Sequence, residues 1–189
     1  MNEMSRVLAP PAVSYKARFT TAEFQHMCKV GAFGDMKVEL IDGEIERLNL
    51  PKNDHARLQS QIMFELLRVM GREALDRVRG EVGIDLGNDT VLGGDATLFR
   101  HAVADPDWLR PEHILLVVEV SVTTLGRDLE MKLPRYAAAG IPHYWVIDAK
   151  RSLVHAHSDP VERDYKKVLT VRFGEPLAVP GTDATIILS

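Results

Sequence analysis

Three charged residues stand where a packed interior would not choose them. Glu119 interrupts the apolar run LLVVEVSV, Asp95 lies inside TVLGGDATLF, and Lys132 sits on the segment that follows Glu119. A lone carboxylate in an apolar strand costs several kcal/mol unless it is paired or bound to a metal. If the strands holding Asp95 and Glu119 are neighbours, the two acids can converge on a hard cation such as Mg2+, which favours carboxylate oxygen and keeps several waters. A nearby ammonium could then orient or deprotonate a water, or neutralise charge on a phosphoryl group. Together these are the parts for metal-assisted hydrolysis. Each residue also has an ordinary explanation. Asp95 follows Gly93-Gly94 and, taken alone, reads better as a turn or bulge residue. Glu119 stands evenly between a metal ligand and half of an ion pair, with Lys132 as the partner. Lys132 lies four residues after Asp128 on one helix face, where a surface pair is the simpler reading.

Histidines offer a second set of ligands. His55 opens a long helix and could face the sheet end where the carboxylates gather, although a histidine at a helix start is more often exposed. His155 and His157 alternate on a strand, a spacing compatible with a metal pair but lacking a third ligand. No phosphate loop, Gly-x-Ser-x-Gly elbow or dinucleotide fingerprint occurs, because the glycines of LGNDTVLGGD fall between and within strands instead of opening a helix. Nucleotide cofactors and serine-hydrolase chemistry are therefore disfavoured.

The elements that must position these groups follow from pattern. Thr20 to Glu23 has capping-box spacing ahead of a short helix running from Phe24 to about Lys29. Asp42-Gly43 divides two alternating segments into a hairpin, with Val38 and Leu40 on one face and Glu39 and Ile41 on the other. Asp54 can cap a helix from His55 to about Asp76, whose apolar stripe is Leu58, Ile62, Leu66, Val69 and Met70. Two strands, VRGEVGIDL and TVLGGDATLF, are separated by Gly87-Asn88-Asp89. The run HILLVVEVSV is too uniformly apolar for a sheet edge and belongs at the centre. A helix from Arg127 to Ala139 ends at Gly140, and Pro134 inside it should kink it or delay its start. HYWVID then completes a βαβ unit from Leu115 to Asp148 with parallel strands. SLVHAH, YKKVLTVRF and DATIILS add three further strands, with SDPVERD and GEPLAVPG between them. The expectation is a loose arm over residues 1–19 and a single α/β domain over 20–189, with a mixed sheet, flanking helices and a β-rich C-terminal edge.

Composition narrows the function classes. The 189 residues include one cysteine, Cys28, so no disulfide can form within the chain, and no paired-cysteine zinc site is present. No apolar run approaches the length that spans a bilayer, and the first residues lack a signal-peptide core, which points to a soluble, cytoplasmic protein with no membrane partner. The net charge of −4 gives no global field for nucleic acid. A local basic surface would be needed, for which Arg68, Arg72, Arg77, Arg79, Lys150 and Arg151 are candidates.

The order VELIDGEI, His55 at a helix start, an aspartate on a strand, LLVVEVSVTT, Asp128 and Lys132, then RYAAAGIPHYWVID resembles the Uma-two family of restriction endonucleases, within the PD-(D/E)xK nuclease superfamily. The resemblance covers about Asp35 to the C-terminus and is most specific from Glu119 to Asp148. It implies a restriction-endonuclease-like core and hydrolysis of DNA phosphodiesters with Mg2+, for which Mn2+ could substitute. Asp95 corresponds to the aspartate of the motif and Glu119 to its second acid, both as metal ligands, and the carbonyl of Val120 would add a third. In the superfamily at large the lysine lies two residues after that acid, a position held here by Ser121. The family supplies it from the following helix, where Lys132 stands. Lysine suits the role because a desolvated ammonium near a metal can titrate close to neutral pH. His55 and Glu39 match positions near the site. Two departures are Gly94, where the family commonly has proline, and Ser121-Val122-Thr123-Thr124, where it often has Ser-Pro-Ser-Thr. A homodimer is also implied. The competing expectation is a non-catalytic nucleic-acid-binding or assembly module on the same fold, in which these charges form a buried ion-pair network. A third is a metal-dependent hydrolase of smaller phosphoesters.

Overall fold

The computed structural model describes residues 16–103 and 108–189. The expected N-terminal arm therefore lies outside the described residues as far as residue 15. Helix α1 (Thr21–Lys29) begins at the expected capping box: Thr20 accepts the Glu23 N–H and the Glu23 carboxylate accepts the Thr20 N–H. Strands β1 (Val38–Ile41) and β2 (Glu44–Arg47) form the expected hairpin, with positive φ at both Asp42 and Gly43.

Helix α2 (Asn53–Met70) starts earlier and stops sooner than its sequence pattern suggests. Lys52 is the cap position, and Asp54 sits in the first turn, where a carboxylate complements the helix dipole. The helix ends at Gly71 with φ +61°, a value the apolar stripe does not signal. A 3-10 turn and the short α3 (Ala74–Arg77) carry the chain on.

The next two expected strands are each split. Strands β3 (Val78–Arg79), β4 (Val82–Gly87), β5 (Thr90–Gly94) and β6 (Ala96–Phe99) make one long hairpin that is shared between two sheets. Val78 pairs with Leu98 and Arg79 with Thr97 in one sheet, and Val82 pairs with Gly94 in the other, so the register runs on through a bend at Gly80-Glu81 and Asp95. A Cβ at position 94 would lie 2.8 Å from Val117 Cγ1, so glycine lets the chain turn this close to the central strand without displacing that side chain.

The main sheet has the order β10, β9, β8, β7, β6, β3, and the smaller one β2, β1, β5, β4. Here β7 is Ile114–Ser121, β8 His143–Asp148, β9 Leu153–Val161 and β10 Asp164–Arg172. The apolar run is central as expected, and β7 and β8 are parallel while the other pairs are antiparallel. Strand β9 continues through most of SDPVERD, so that segment is strand and turn instead of a linker. A two-stranded sheet of β11 (Leu177–Ala178) and β12 (Thr185–Ile186) closes the C-terminal side.

The crossover between β7 and β8 is a π-helix, Arg127–Lys132, followed by α4 (Leu133–Ala138). Leu133 donates five residues back to the Asp128 carbonyl, and Pro134, which has no donor of its own, falls in the first turn of α4. On one face of the main sheet Leu58, Ile62 and Leu66 of α2 pack against Leu116, Val118 and Val120. On the other, Leu133, Tyr136 and Ala137 pack against Val117, Tyr144 and Val146, with Ile41, Ile84 and Leu92 of the small sheet. Each such aliphatic side chain contributes about 1.5–3 kcal/mol by leaving water, so the strand bearing Glu119 is held from both sides. Among the described residues no helix is long and apolar enough to cross a membrane.

Candidate active site

Asp95 occupies the bend where the long hairpin passes from one sheet to the other. Ala96 pairs with Val118, so one further step of the ladder would bring Asp95 opposite Glu119. The bend takes the place of that step. The Asp95 carboxylate Oδ2 accepts the Val120 N–H at 2.7 Å and faces His55 Nε2 at 3.1 Å, while Gln59, one turn along α2, donates to the Asp95 carbonyl at 3.0 Å. Because the N–H and C=O of a strand residue leave by the same edge, the Val120 carbonyl also faces the Asp95 side.

Glu119 is 4% exposed and Lys132 5% exposed. The Lys132 ammonium donates to Glu119 Oε1 at 2.9 Å and to the Gly93 carbonyl at 3.0 Å, and it forms an ion pair with Glu39 Oε1 at 3.0 Å. Tyr136, one turn further on, donates to the same Glu119 oxygen at 3.2 Å. Glu39 also accepts the Gly93 N–H at 3.0 Å and Arg127 Nη2 at 2.7 Å, and Arg127 bridges on to Glu46. Asp128 accepts from Ser121 and Thr124, two of the three hydroxyls of the loop that replaces Ser-Pro-Ser-Thr.

The surface pair expected between Asp128 and Lys132 does not form. Both side chains are buried, because the widened turn and α4 lie flat against β7 and β8. Burial pushes the Glu119 carboxyl well above its ordinary pKa; Lys132 opposes this, while Asp95, Asp128 and Glu39 add to it. Burial also raises Asp128, against the hydroxyl of Ser121, the charge of Lys132 and the hydroxyl of Thr124. For Lys132 burial works against the ammonium, but the charges of Glu119 and Glu39 outweigh it and hold the pKa above the ordinary lysine value. The carboxylate neighbours thus favour the charged ammonium.

These groups open into a groove of about 730 Å³. Its lining includes Glu39, Glu81, Asp95, Glu119 and Asp128 together with Lys37, Arg47, Lys52, Arg127 and Lys132. Glu39, Glu119, Asp128 and Lys132 are buried, whereas Arg47 and Lys52 are exposed on the rim. The donor set suits a hard divalent cation. Three further carboxylates crowd Glu119, and among the described residues Asp95 Oδ1 and Glu119 Oε2 take no hydrogen bond. Among the described residues, however, no three His, Cys, Asp or Glu side chains form a ready-made metal cage. Two carboxylates with the remaining positions left to backbone and water is the pattern Mg2+ accepts.

The fold thus brings Asp95, Glu119, Lys132, His55 and Glu39 together, with Val120 at their edge. His155 and His157 stay apart: His155 Nδ1 lies 3.3 Å from the Thr170 hydroxyl, and His157 packs among Tyr144 and Tyr165. Of the basic candidates, Arg68 pairs with Glu65, Arg151 with Asp148, and Arg77 and Arg79 bind backbone carbonyls, so none of these builds the groove. Arg127 and Tyr136 were missed, although each stands one helical turn from a residue already singled out. Asp128 was noted only as a surface partner.

Residues 21–187 match the family model Uma2, whose description is "Putative restriction endonuclease". Among solved structures, a "putative nuclease belonging to DUF820" from Anabaena variabilis ATCC 29413 superposes with a TM-score of 0.56 at 18% identity, over 76% of this chain and 81% of that one. At that identity the likeness shows the fold, which is restriction-endonuclease-like. No curated protein matches the chain.

Proposed function

Since the chain belongs to the Uma2 family, we propose that it is a Mg2+-dependent DNA endonuclease whose metal is held by Asp95, Glu119 and the carbonyl of Val120. The observation that carries this reading is the convergence of Asp95 and Glu119 at one end of the central strand, on the floor of an open groove. Mg2+ bound there supplies Lewis acidity to a phosphodiester, and Mn2+ would do the same. The remaining work falls to the chain itself. Val120 N–H and His55 fix one oxygen of Asp95, leaving the other for a ligand. Lys132 and Tyr136 do the same for Glu119. Bound to Glu119 and the Gly93 carbonyl and paired with Glu39, Lys132 positions both carboxylates and contributes positive charge next to the reacting phosphate. Glu39 ties Lys132 to Arg127 and so sets the height of both cations in the groove.

Plasmid nicking with divalent metal, with chelator, and with Lys132→Ala tests the assignment. We expect cutting that needs the metal and falls at least a hundredfold in the variant, an amount typical of losing a preorganised charge at a transition state. Cutting that persists in chelator, or equal cutting by the variant, would remove it.

A second reading is favoured by one observation: Glu119, Lys132 and Glu39 already satisfy one another at 2.9 and 3.0 Å. On that reading the cluster is a structural ion-pair network in a non-catalytic nucleic-acid-binding or assembly module. It predicts a melting temperature indifferent to Mg2+, whereas a ligand that binds the folded form must raise it. A homodimer accords with the family reading, and sedimentation of the purified chain tests it.

A further inference from the structure

We propose that Leu50 is an apolar wedge that enters between bases of the bound nucleic acid, with Arg47 and Lys52 holding the phosphates on either side. The inference rests on the endonuclease reading and adds how the substrate is engaged.

Leu50 is 84% exposed, more than any other large apolar side chain among the described residues. Single exposed leucines are common on soluble proteins and need no function. Location distinguishes this one. The other strongly exposed apolar residues, such as Val30, Phe64 and Leu75, lie away from the groove, whereas Leu50 lines it. It stands on the short lip between β2 and α2, whose two ends are anchored. Leu48 N–H binds the Lys37 carbonyl at 2.9 Å, and Lys52 is the cap position of α2.

The lip is also stiff. Pro51 restricts Leu50 to extended backbone, so the side chain is presented to solvent without a large loss of chain freedom on binding. Arg47 and Lys52 flank it, both exposed and neither in an ion pair among the described residues. Other groove cations are already committed: Lys37 to Glu81, and Arg127 to Glu39 and Glu46. A leucine between two uncommitted cations, above a floor of carboxylates, matches a polyanion that carries stacked apolar faces. Leucine is among the side chains that proteins insert between base steps, and the resulting kink would lower the phosphodiester backbone toward Asp95 and Glu119.

The test uses the full chain in chelator, where binding is read without cleavage. Its probes are short duplexes carrying 2-aminopurine at successive positions. Wild type should raise the fluorescence at one or two positions. Leu50→Ala should abolish that rise and weaken binding roughly tenfold, as expected when the apolar burial of one leucine is lost, while leaving the salt dependence unchanged. Arg47→Ala should instead lower the slope of log affinity against log salt by about one. Leu50→Met should retain the rise. The proposal is overturned if wild type binds without unstacking any base, if Leu50→Ala keeps the signal, or if that variant changes sedimentation, which would make Leu50 a contact between copies of this chain. Metal-dependent plasmid cleavage without unstacking would sink the wedge alone. Unstacking without cleavage would sink the endonuclease reading alone.

Discussion

Two groups of buried ionisable side chains share one face of the central sheet and touch each other, yet they are built on opposite principles. In the first, Glu39, Glu119, Asp128 and Lys132 are each held by charged or hydrogen-bonding neighbours, and the set opens into the groove. In the second, His157 is packed between Tyr144 and Tyr165, and neither of its ring nitrogens has a hydrogen-bond partner among the described residues. Tyr136 and Tyr144, whose rings lie 5.0 Å apart, join the two groups. Burial pushes His157 below its ordinary pKa, with His155 acting in the same direction and Asp164 against it, which favours the neutral ring. A titratable residue in a core thus says little by itself. What separates the two groups is whether complementary charges converge on the buried residue and whether solvent can reach the floor.

That contrast can be broken in several ways, of which Lys132→Met is the most damaging. It would leave two carboxylates buried without their cation, and breaking a buried pair costs about 3–5 kcal/mol. Chemical denaturation measures this, and a loss below about 1 kcal/mol would mean the charges behave as surface ions. Next in size is the metal. At a hundred times its dissociation constant Mg2+ should stabilise the chain by about 2.7 kcal/mol, visible as a raised melting temperature that Asp95→Asn abolishes. Glu39→Gln keeps the shape of the anchor but removes its charge toward Lys132 and Arg127. The expected loss is about 1.5–3 kcal/mol, the range for hydrogen bonds to charged groups, read by the same denaturation.

The smallest effect should come from the other group. His157→Phe removes two unpartnered nitrogens, so stability should stay within about 1 kcal/mol of wild type or rise, and plasmid cleavage should be unchanged. It should also alter the acid limb of stability. A histidine whose pKa is lowered on folding leaves the unfolded chain binding more protons below the ordinary value of 6.5, so its contribution is complete above that pH and is lost as pH falls. The variant should lose less stability than wild type between neutrality and mildly acid pH, and a steeper loss would contradict this account of the ring.

Much of this arrangement was legible in the sequence where the signal is local. Asp42-Gly43 dictates its own turn, Thr20 and Glu23 cap each other, and an apolar run as uniform as the one around Glu119 has only the sheet centre to occupy. The parallel pairing of β7 and β8 followed from the helix between them. What could not be read depends on how distant segments meet. Gly93-Gly94 marks Asp95 as a turn or bulge residue, but nothing in TVLGGDATLF announces the second sheet that the bend serves. Asp128 and Lys132 show the spacing of an ordinary surface pair, and only the widened turn ahead of Pro134, pressed against β7, puts both inside. Arg127 gains its role from Glu39 and Glu46 on a hairpin more than eighty residues earlier in the chain.

The long hairpin carries one further implication, for how this chain can change in length. Its tip is the two-residue turn Asn88-Asp89, and a register shift between Asp85 and Gly87 takes up one extra residue just before it. From there the pairing counts back without interruption to Val82 opposite Gly94 and, past the bend, to Arg79 opposite Thr97. An insertion or deletion at the tip would slide one strand past the other by a residue, so the two chains would bend at different places and Asp95 would leave its station beside Val120. None of the residues from Asp85 to Thr90 lines the groove. Distance from the groove therefore does not free the number of residues in that tip, and its chemistry is bound as well: Asn88 and Asp89 both take positive φ, and the Asp89 carboxylate accepts the Thr21 N–H at the start of α1.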